Sequence, residues 1–276
     1  MSIKINRQKI VVENAEISIL IAGKGETVVL IPSWARGADD FFDLMRVLAN
    51  SGYKAIAIDP RGVGESKGSL AGATLDDMAA DVAGVITALD TAPVHVLGHA
   101  YGNKIARFVA ADYPRLVKSV ILLAAGGEVK PDPVAFAAFK KAVIENVSEE
   151  EWLLAMKQSH FFGAIDPRVW RTGWYPQVAQ AQLSVSKSTL RDDWWRAGTA
   201  PMLIIQGLDD LLAPPANGRI LRAKLGDRVR LIELEHTAHA LLPERLKTIA
   251  KNIINFISDP QGSLKLRSHD RSLNNP

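Results

Sequence analysis

The sequence predicts an α/β protein in which a mostly parallel sheet is covered by helices on both faces. Three observations predict it. Short apolar segments that read as strands alternate with helix-periodic segments, the pattern of a sheet buried on both sides. Each polar or glycine-rich motif follows directly on one of these strands, where ligands sit in such sheets. One stretch, residues 130–200, breaks the alternation: it is helical in pattern and carries five of the six tryptophans, which reads as an insertion capping the sheet.

The elements follow in order. Residues 4–12 and 15–22 form a hairpin turning at Glu13-Asn14, and Gly23-Lys24-Gly25 ends it. Residues 27–32 are a short apolar strand. Residues 39–51 place Phe42, Leu44, Met45, Val47 and Leu48 at helical spacing and stop before Gly52. A strand over 54–58 runs into Asp59-Pro60-Arg61-Gly62-Val63-Gly64-Glu65-Ser66, a tight glycine-dependent path that reads as scaffold. Residues 74–90 are a helix capped by Thr74, with Asp77 three positions on. Strand 94–97, helix 105–112 and strand 117–124 form the next unit. Strands over 202–206 and 229–234 and a helix over 243–257 complete the fold.

Length and composition bound the function. A chain of 276 residues suits one domain with an insertion or two small domains. The expected organisation is a core of 1–129 and 201–260, a helical cap of 130–200, and a polar, flexible tail of 261–276. With 47% hydrophobic and 23% charged residues the chain can build a full core. The net charge of +3 includes no basic block, which argues against nucleic acid as a partner. The absence of cysteine excludes disulfides, thiolate metal sites and cysteine nucleophiles. The six histidines show no metal-ligand spacing, so no metal is expected. No run approaches 18 apolar residues and the first residues lack an apolar h-region, so neither a membrane span nor a signal peptide is expected, and the location reads as cytoplasmic.

The chemistry concentrates at three places. Gly98-His99-Ala100-Tyr101-Gly102 lies between a strand and a helix, the context of the G-x-S-x-G nucleophile elbow, with Ala100 where the serine would stand. Glu235-His236-Thr237-Ala238-His239 follows the last strand. His239 is the candidate general base, because imidazole moves protons near neutral pH, and His236 is its rival. Asp210, in Gly207-Leu208-Asp209-Asp210-Leu211-Leu212-Ala213-Pro214, is the candidate carboxylate behind that imidazole, with Asp209 adjacent. An oxyanion hole needs two backbone N–H groups. Those of Tyr101 and Trp34 fall at the right places, with Ser33 as the alternative to Trp34. Arg36, in the same loop, reads either as a partner for an anionic substrate group or as a structural residue.

Taken jointly, Asp59-Pro60-Arg61-Gly62-x-Gly64-x-Ser66, the elbow segment, Gly207-x-x-Asp210-x-x-x-Pro214 and His239 resemble the α/β-hydrolase superfamily. The matching motifs run in family order through nearly the whole chain. The resemblance implies an eight-stranded sheet, a helical cap inserted after the sixth strand, a pocket between the two, and no cofactor. The expected pocket walls are Ser33, Arg36, Trp152, Phe161, Trp170 and Trp174, around a small apolar substrate; a homodimer is the candidate assembly. Ala100 departs from the family, because a methyl group cannot attack a carbonyl. Three readings follow: a serine-independent enzyme using the His239–Asp210 pair on an ester, lactone or acidic substrate; an ester hydrolase whose elbow serine is replaced by alanine; or a protein that binds a small ligand without turning it over.

Overall fold

In a computed structural model, which describes residues 3–188 and 193–262, eight strands form one sheet in the order β1-β2-β4-β3-β5-β6-β7-β8. Strands β1 (Ile5–Val12) and β2 (Ala15–Gly23) are the expected hairpin, and β2 pairs antiparallel with β4 (Lys54–Ile58). Every later pairing is parallel: β4 to β3 (Thr27–Ile31), then β5 (Val94–His99), β6 (Val117–Leu123), β7 (Met202–Gly207) and β8 (Val229–Leu234). The central strands are largely apolar because helices cover both faces; all five residues of β3 and all six of β5, His95 and His99 included, are buried.

Helices α1 (Phe42–Asn50) and α8 (Leu242–Ser258) enclose one core with Leu30, Leu97, Leu203 and Ile205. On the other face, α2 (Leu75–Ala88) and α3 (Tyr101–Asp112) bury Ile86, Ile105 and Phe108 against Val29, Val96 and Val120. The start of α2 is a capping box: the Asp77 amide donates to the Thr74 hydroxyl while the Asp77 carboxylate accepts from the Thr74 amide. Between β6 and β7 lie α4 (Pro133–Ile144), α5 (Glu149–Ser159) and α6 (Pro176–Ser188), within the stretch expected to cap the sheet. The tail expected over 261–276 lies outside the described residues from 263 onward. Among the described residues no helix is long and apolar enough to cross a membrane.

One helix, α7 (Ala216–Leu225), lies between β7 and β8 without a sequence pattern that announces it. Its buried residues are Asn217, Gly218 and Leu221, so it lacks the apolar stripe that marks an amphipathic helix. Asn217 holds it instead, accepting from the Val129 amide at 2.8 Å and donating to the Val129 carbonyl at 2.9 Å.

The loop after β4 is scaffold, as its glycines suggest. The buried Asp59 carboxylate accepts from the Ala38 amide (2.7 Å), the Ser18 hydroxyl (3.0 Å) and Arg7, while the Ser66 hydroxyl donates to the Asp59 carbonyl at 2.7 Å.

The feature that positions the site is the turn from β5 into α3. Ala100 sits there at φ 48°, ψ −105°, a conformation that L-residues hold only when their surroundings impose it. A Cβ on Gly98 would stand 2.3 Å from the Gly102 carbonyl oxygen, and one on Gly102 would stand 2.3 Å from that of Ile31. Both glycines are therefore required by backbone-to-backbone contact. Gly102→Ala is expected to destabilise the fold by about 1–3 kcal/mol through overpacking against β3, measured as a lower urea midpoint at unchanged m-value.

Candidate active site

His239 lies in the loop between β8 and α8, and its ring donates Nδ1–H to the Asp210 carboxylate, with Oδ2 at 2.9 Å and Oδ1 at 3.0 Å. Both residues are buried. Asp210 is itself fixed: its Oδ1 accepts from the amides of Leu212 (2.9 Å) and Ala213 (2.7 Å). A carboxylate held by backbone donors and facing an imidazole N–H sets the tautomer, so Nε2 carries the lone pair. Nε2 has no hydrogen bond to a described residue, and His239 lines the same cavity as Ala100.

The rival residues do other work. Asp209 is exposed and accepts from the Thr237 amide at 3.2 Å, bracing the histidine loop from outside. His236 is exposed, with its carbonyl accepting from Arg245 at 3.1 Å, and does not line the cavity.

A second histidine ties the elbow to this loop. His99, one residue before Ala100, donates Nε2–H to the His239 carbonyl at 2.9 Å. Burial, reinforced by the neighbouring His239, pushes the His99 imidazole down to about 3, so the ring is neutral. His160, from the end of α5, packs edge-on against His239 with ring centroids 5.1 Å apart, and its carbonyl accepts from the Ala240 amide at 2.9 Å. Burial also holds His160 well below the usual imidazole range. Glu244 completes the brace: its carboxylate accepts from the amides of Ala238 (2.9 Å), Leu241 (3.2 Å) and Phe162 (2.6 Å).

The two amides expected to form an oxyanion hole both lie at the cavity. Tyr101 N–H is the first amide of α3, which has no carbonyl one turn back to bond, and the helix dipole favours negative charge there. Trp34 N–H, in the loop after β3, makes no hydrogen bond to a described residue. Ser33 lines the cavity beside it. That loop is held from the insertion side, where the Ala35 amide donates to Gln182 Oε1 at 2.8 Å and the Trp34 indole to the Ala179 carbonyl at 3.0 Å.

The remaining expected pocket residues fall elsewhere. The cavity holding Ala100 and His239 measures about 700 Å³, and Arg36, Trp152, Phe161, Trp170 and Trp174 do not line it. Arg36 is buried in a structural pair with Asp40, donates to the Thr172 carbonyl at 2.6 Å, and lies between the rings of Trp170 (4.8 Å) and Trp174 (4.4 Å). Trp170 and Arg36 border a separate polar cleft. Phe161 meets Trp170 edge to face, and Trp152 meets Arg171 at 4.9 Å. Trp170 and Trp174 thus tie the insertion to the loop after β3 through Arg36, whereas Phe161 and Trp152 meet partners within the insertion itself. The aromatic cavity wall comes instead from Trp34, Tyr101, Phe136, Phe139 and Trp195. Lys104 and Arg107, not among the expected site residues, also line the cavity. The signal for them is spacing: residues 100, 104 and 107 share one helical face. No comparable signal exists for His160 or Glu244, whose roles depend on tertiary contact.

Among the described residues no group of three His, Cys, Asp or Glu side chains is arranged to hold a metal ion.

The pKa of His99 has a consequence for stability. An unfolded histidine titrates near 6.5 and folded His99 near 3, so between these values the unfolded chain binds the extra proton. Its contribution is complete above about pH 6.5 and is lost as pH falls towards 3. Thermal or urea unfolding is expected to show an acid loss of up to about 1.4 kcal/mol per pH unit from this group. His99→Gln, which keeps a donor for the His239 carbonyl, is expected to make that acid limb shallower.

Comparison with known proteins agrees with this architecture. A family model described as alpha/beta hydrolase fold matches residues 26–149. A non-heme haloperoxidase of Rhodococcus erythropolis is 29% identical over 259 residues, covering 85% of this chain and 93% of the relative. A non-heme chloroperoxidase of Streptomyces lividans is 27% identical over 256 residues, covering 84% and 92%. Among solved structures, a bromoperoxidase from Bacillus anthracis superposes with TM-score 0.76 at 20% identity over 93% of this chain and all of its own. A thermophilic esterase from Thermogutta terrifontis does so with TM-score 0.73 at 20% identity over 92% and 98%. At those identities the structural likeness speaks for the fold alone. Strand order, the matched family model and the curated relatives together show that this chain has the α/β-hydrolase fold and is similar to proteins of that superfamily.

Proposed function

We propose that the chain is a serine-independent enzyme in which the His239–Asp210 pair acts as general base beside a backbone oxyanion hole, on an ester, a lactone or an acidic substrate. The observation that carries the reading is the pairing of His239 Nδ1 with both Asp210 oxygens while the ring borders the cavity at Ala100. A protein that only binds has no use for a buried imidazole whose tautomer is fixed by a buried carboxylate.

On this reading the substrate carbonyl oxygen accepts from the amides of Tyr101 and Trp34. The space left by the missing hydroxyl at position 100 admits a water. His239 Nε2 takes a proton from that water as its oxygen bonds to the carbonyl carbon, and the charge developing on the carbonyl oxygen meets the two N–H groups. The protonated ring then returns its proton to the departing alkoxide, which yields acid and alcohol. With an acidic substrate the same nitrogen removes the substrate's own proton, and the two amides stabilise the resulting enolate. No acyl-enzyme forms in either case.

Magnitudes limit the substrate. Loss of a triad nucleophile costs about a million-fold in a serine protease, whereas a positioned general base contributes about 10²–10⁴-fold. The pair therefore suits activated esters, strained lactones or acidic C–H bonds rather than amides. The relatives named above as haloperoxidases and the esterase support small-molecule chemistry at this place in the fold.

Two measurements test this. On a panel of p-nitrophenyl esters and lactones, His239→Ala and Asp210→Asn are each expected to lower kcat at least 100-fold, in keeping with the roughly 10²–10⁴-fold worth of a general base, without loss of fold by circular dichroism; undiminished turnover in His239→Ala rejects the base. Ala100→Ser is expected to gain covalent labelling by a fluorophosphonate probe, because the bend already presents that side chain to His239 and the oxyanion amides. A panel on which only the serine variant turns over identifies a silenced serine hydrolase instead.

A further inference from the structure

The cavity is apolar over much of its wall, with Phe136, Phe139, Leu183, Leu212 and Leu221 among its residues, but its charge is one-sided. Four cations line it, Lys104, Arg107, Lys130 and Lys224, against a single carboxylate, Glu128, among the described residues. Lys130, Lys224 and Glu128 belong to the rim: Lys130 and Glu128 are exposed, and Glu128 is already paired with Lys224. Lys104 and Arg107 lie deeper. Lys104 is half-buried, and Arg107 is 1% exposed.

Lys104 meets no carboxylate among the described residues. Its ammonium bonds the Ser186 hydroxyl at 3.2 Å and stands 5.6 Å from the Tyr101 ring centroid. Arg107, one turn further along α3, donates to the Gly126 carbonyl at 2.9 Å and adds like charge. Burial and that guanidinium both lower the Lys104 amine from its ordinary value. A cation kept in such surroundings, unmatched by an acid, is placed to meet an anion that arrives with the ligand.

We propose that the ligand of this cavity is an apolar carboxylate whose anionic end is met by Lys104, with Arg107 behind it, while its reacting carbon lies over Ala100. The anionic-group role read for Arg36 passes to Lys104, since Arg36 is committed to Asp40 and borders a different cleft. Position supplies the distance. Residues 100, 104 and 107 follow one face of α3, and a rise of 1.5 Å per residue puts Lys104 about 6 Å and Arg107 about 10 Å along the axis from the bend. A carboxylate that far from the reacting carbon fits a molecule of about two fused rings. The proposal rests on this cavity being the reaction site, but it concerns binding and not the proton transfer.

The test uses two isosteric probes, 1-naphthoate and 1-naphthamide, titrated into the full chain by isothermal calorimetry. The naphthoate is expected to bind at least tenfold more tightly. Lys104→Gln is expected to remove that preference while leaving the naphthamide within twofold, and Lys104→Arg to retain it. His239→Ala is expected to keep the preference, so failure of the base assignment and failure of the anion assignment are read separately. Equal affinity of the two probes, a preference that survives Lys104→Gln, or no binding of either at millimolar concentration overturns the proposal.

Discussion

Backbone atoms of three separate segments meet where β5 turns into α3, and the geometry of that meeting governs everything above the sheet. The path from Gly98 to Gly102 leaves no room for a Cβ at either end, because the Ile31 and Gly102 carbonyls already occupy the space. The chain between them has to bend sharply, and the bend holds Ala100 at positive φ. The same bend starts α3 with unbonded amides facing the cavity and aligns Lys104 and Arg107 along its wall. A fold that builds this turn keeps its strain whether or not position 100 bears a hydroxyl. The turn and the first amides of α3 are therefore built with an alanine at position 100.

The segment between β6 and β7 supplies side chains that hold the loops around the cavity. Gln182 holds the loop after β3 through the Ala35 amide, His160 lies against the face of His239, and Arg36 is clamped between Trp170 and Trp174. Each of the segments that define the site is thus braced by a side chain from outside the sheet. Rigid support of this kind is what a polar site needs if its hydrogen bonds are to be preorganised.

The strands, most of the helices and the His239–Asp210 pair were legible in the sequence because each carries a local signal. Central strands are mostly apolar, Thr74 and Asp77 spell a capping box, and Asp210 and His239 follow directly on β7 and β8. Helix α7 was not legible, since its inward face is Asn217, Gly218 and Leu221 rather than an apolar stripe. The cavity wall was misread for a related reason. Composition reveals that 130–200 is rich in rings, but not which of them point towards Ala100; Trp170 and Trp174 turned out to enclose Arg36, while Phe136, Phe139 and Trp195 face the cavity. Side-chain direction across a tertiary contact has no period along the chain, so no pattern announces it.

The single carboxylate of Glu244 grips Ala238 and Leu241, which flank His239, and also Phe162, from the segment between β6 and β7. Three amides from two segments thus hang on one side chain. Any outward swing of the backbone at Phe162 either breaks that grip or drags the backbone carrying His239 along with it. The position of the His239 loop and that of the backbone at Phe162 are thus mechanically coupled, with Glu244 as the joint.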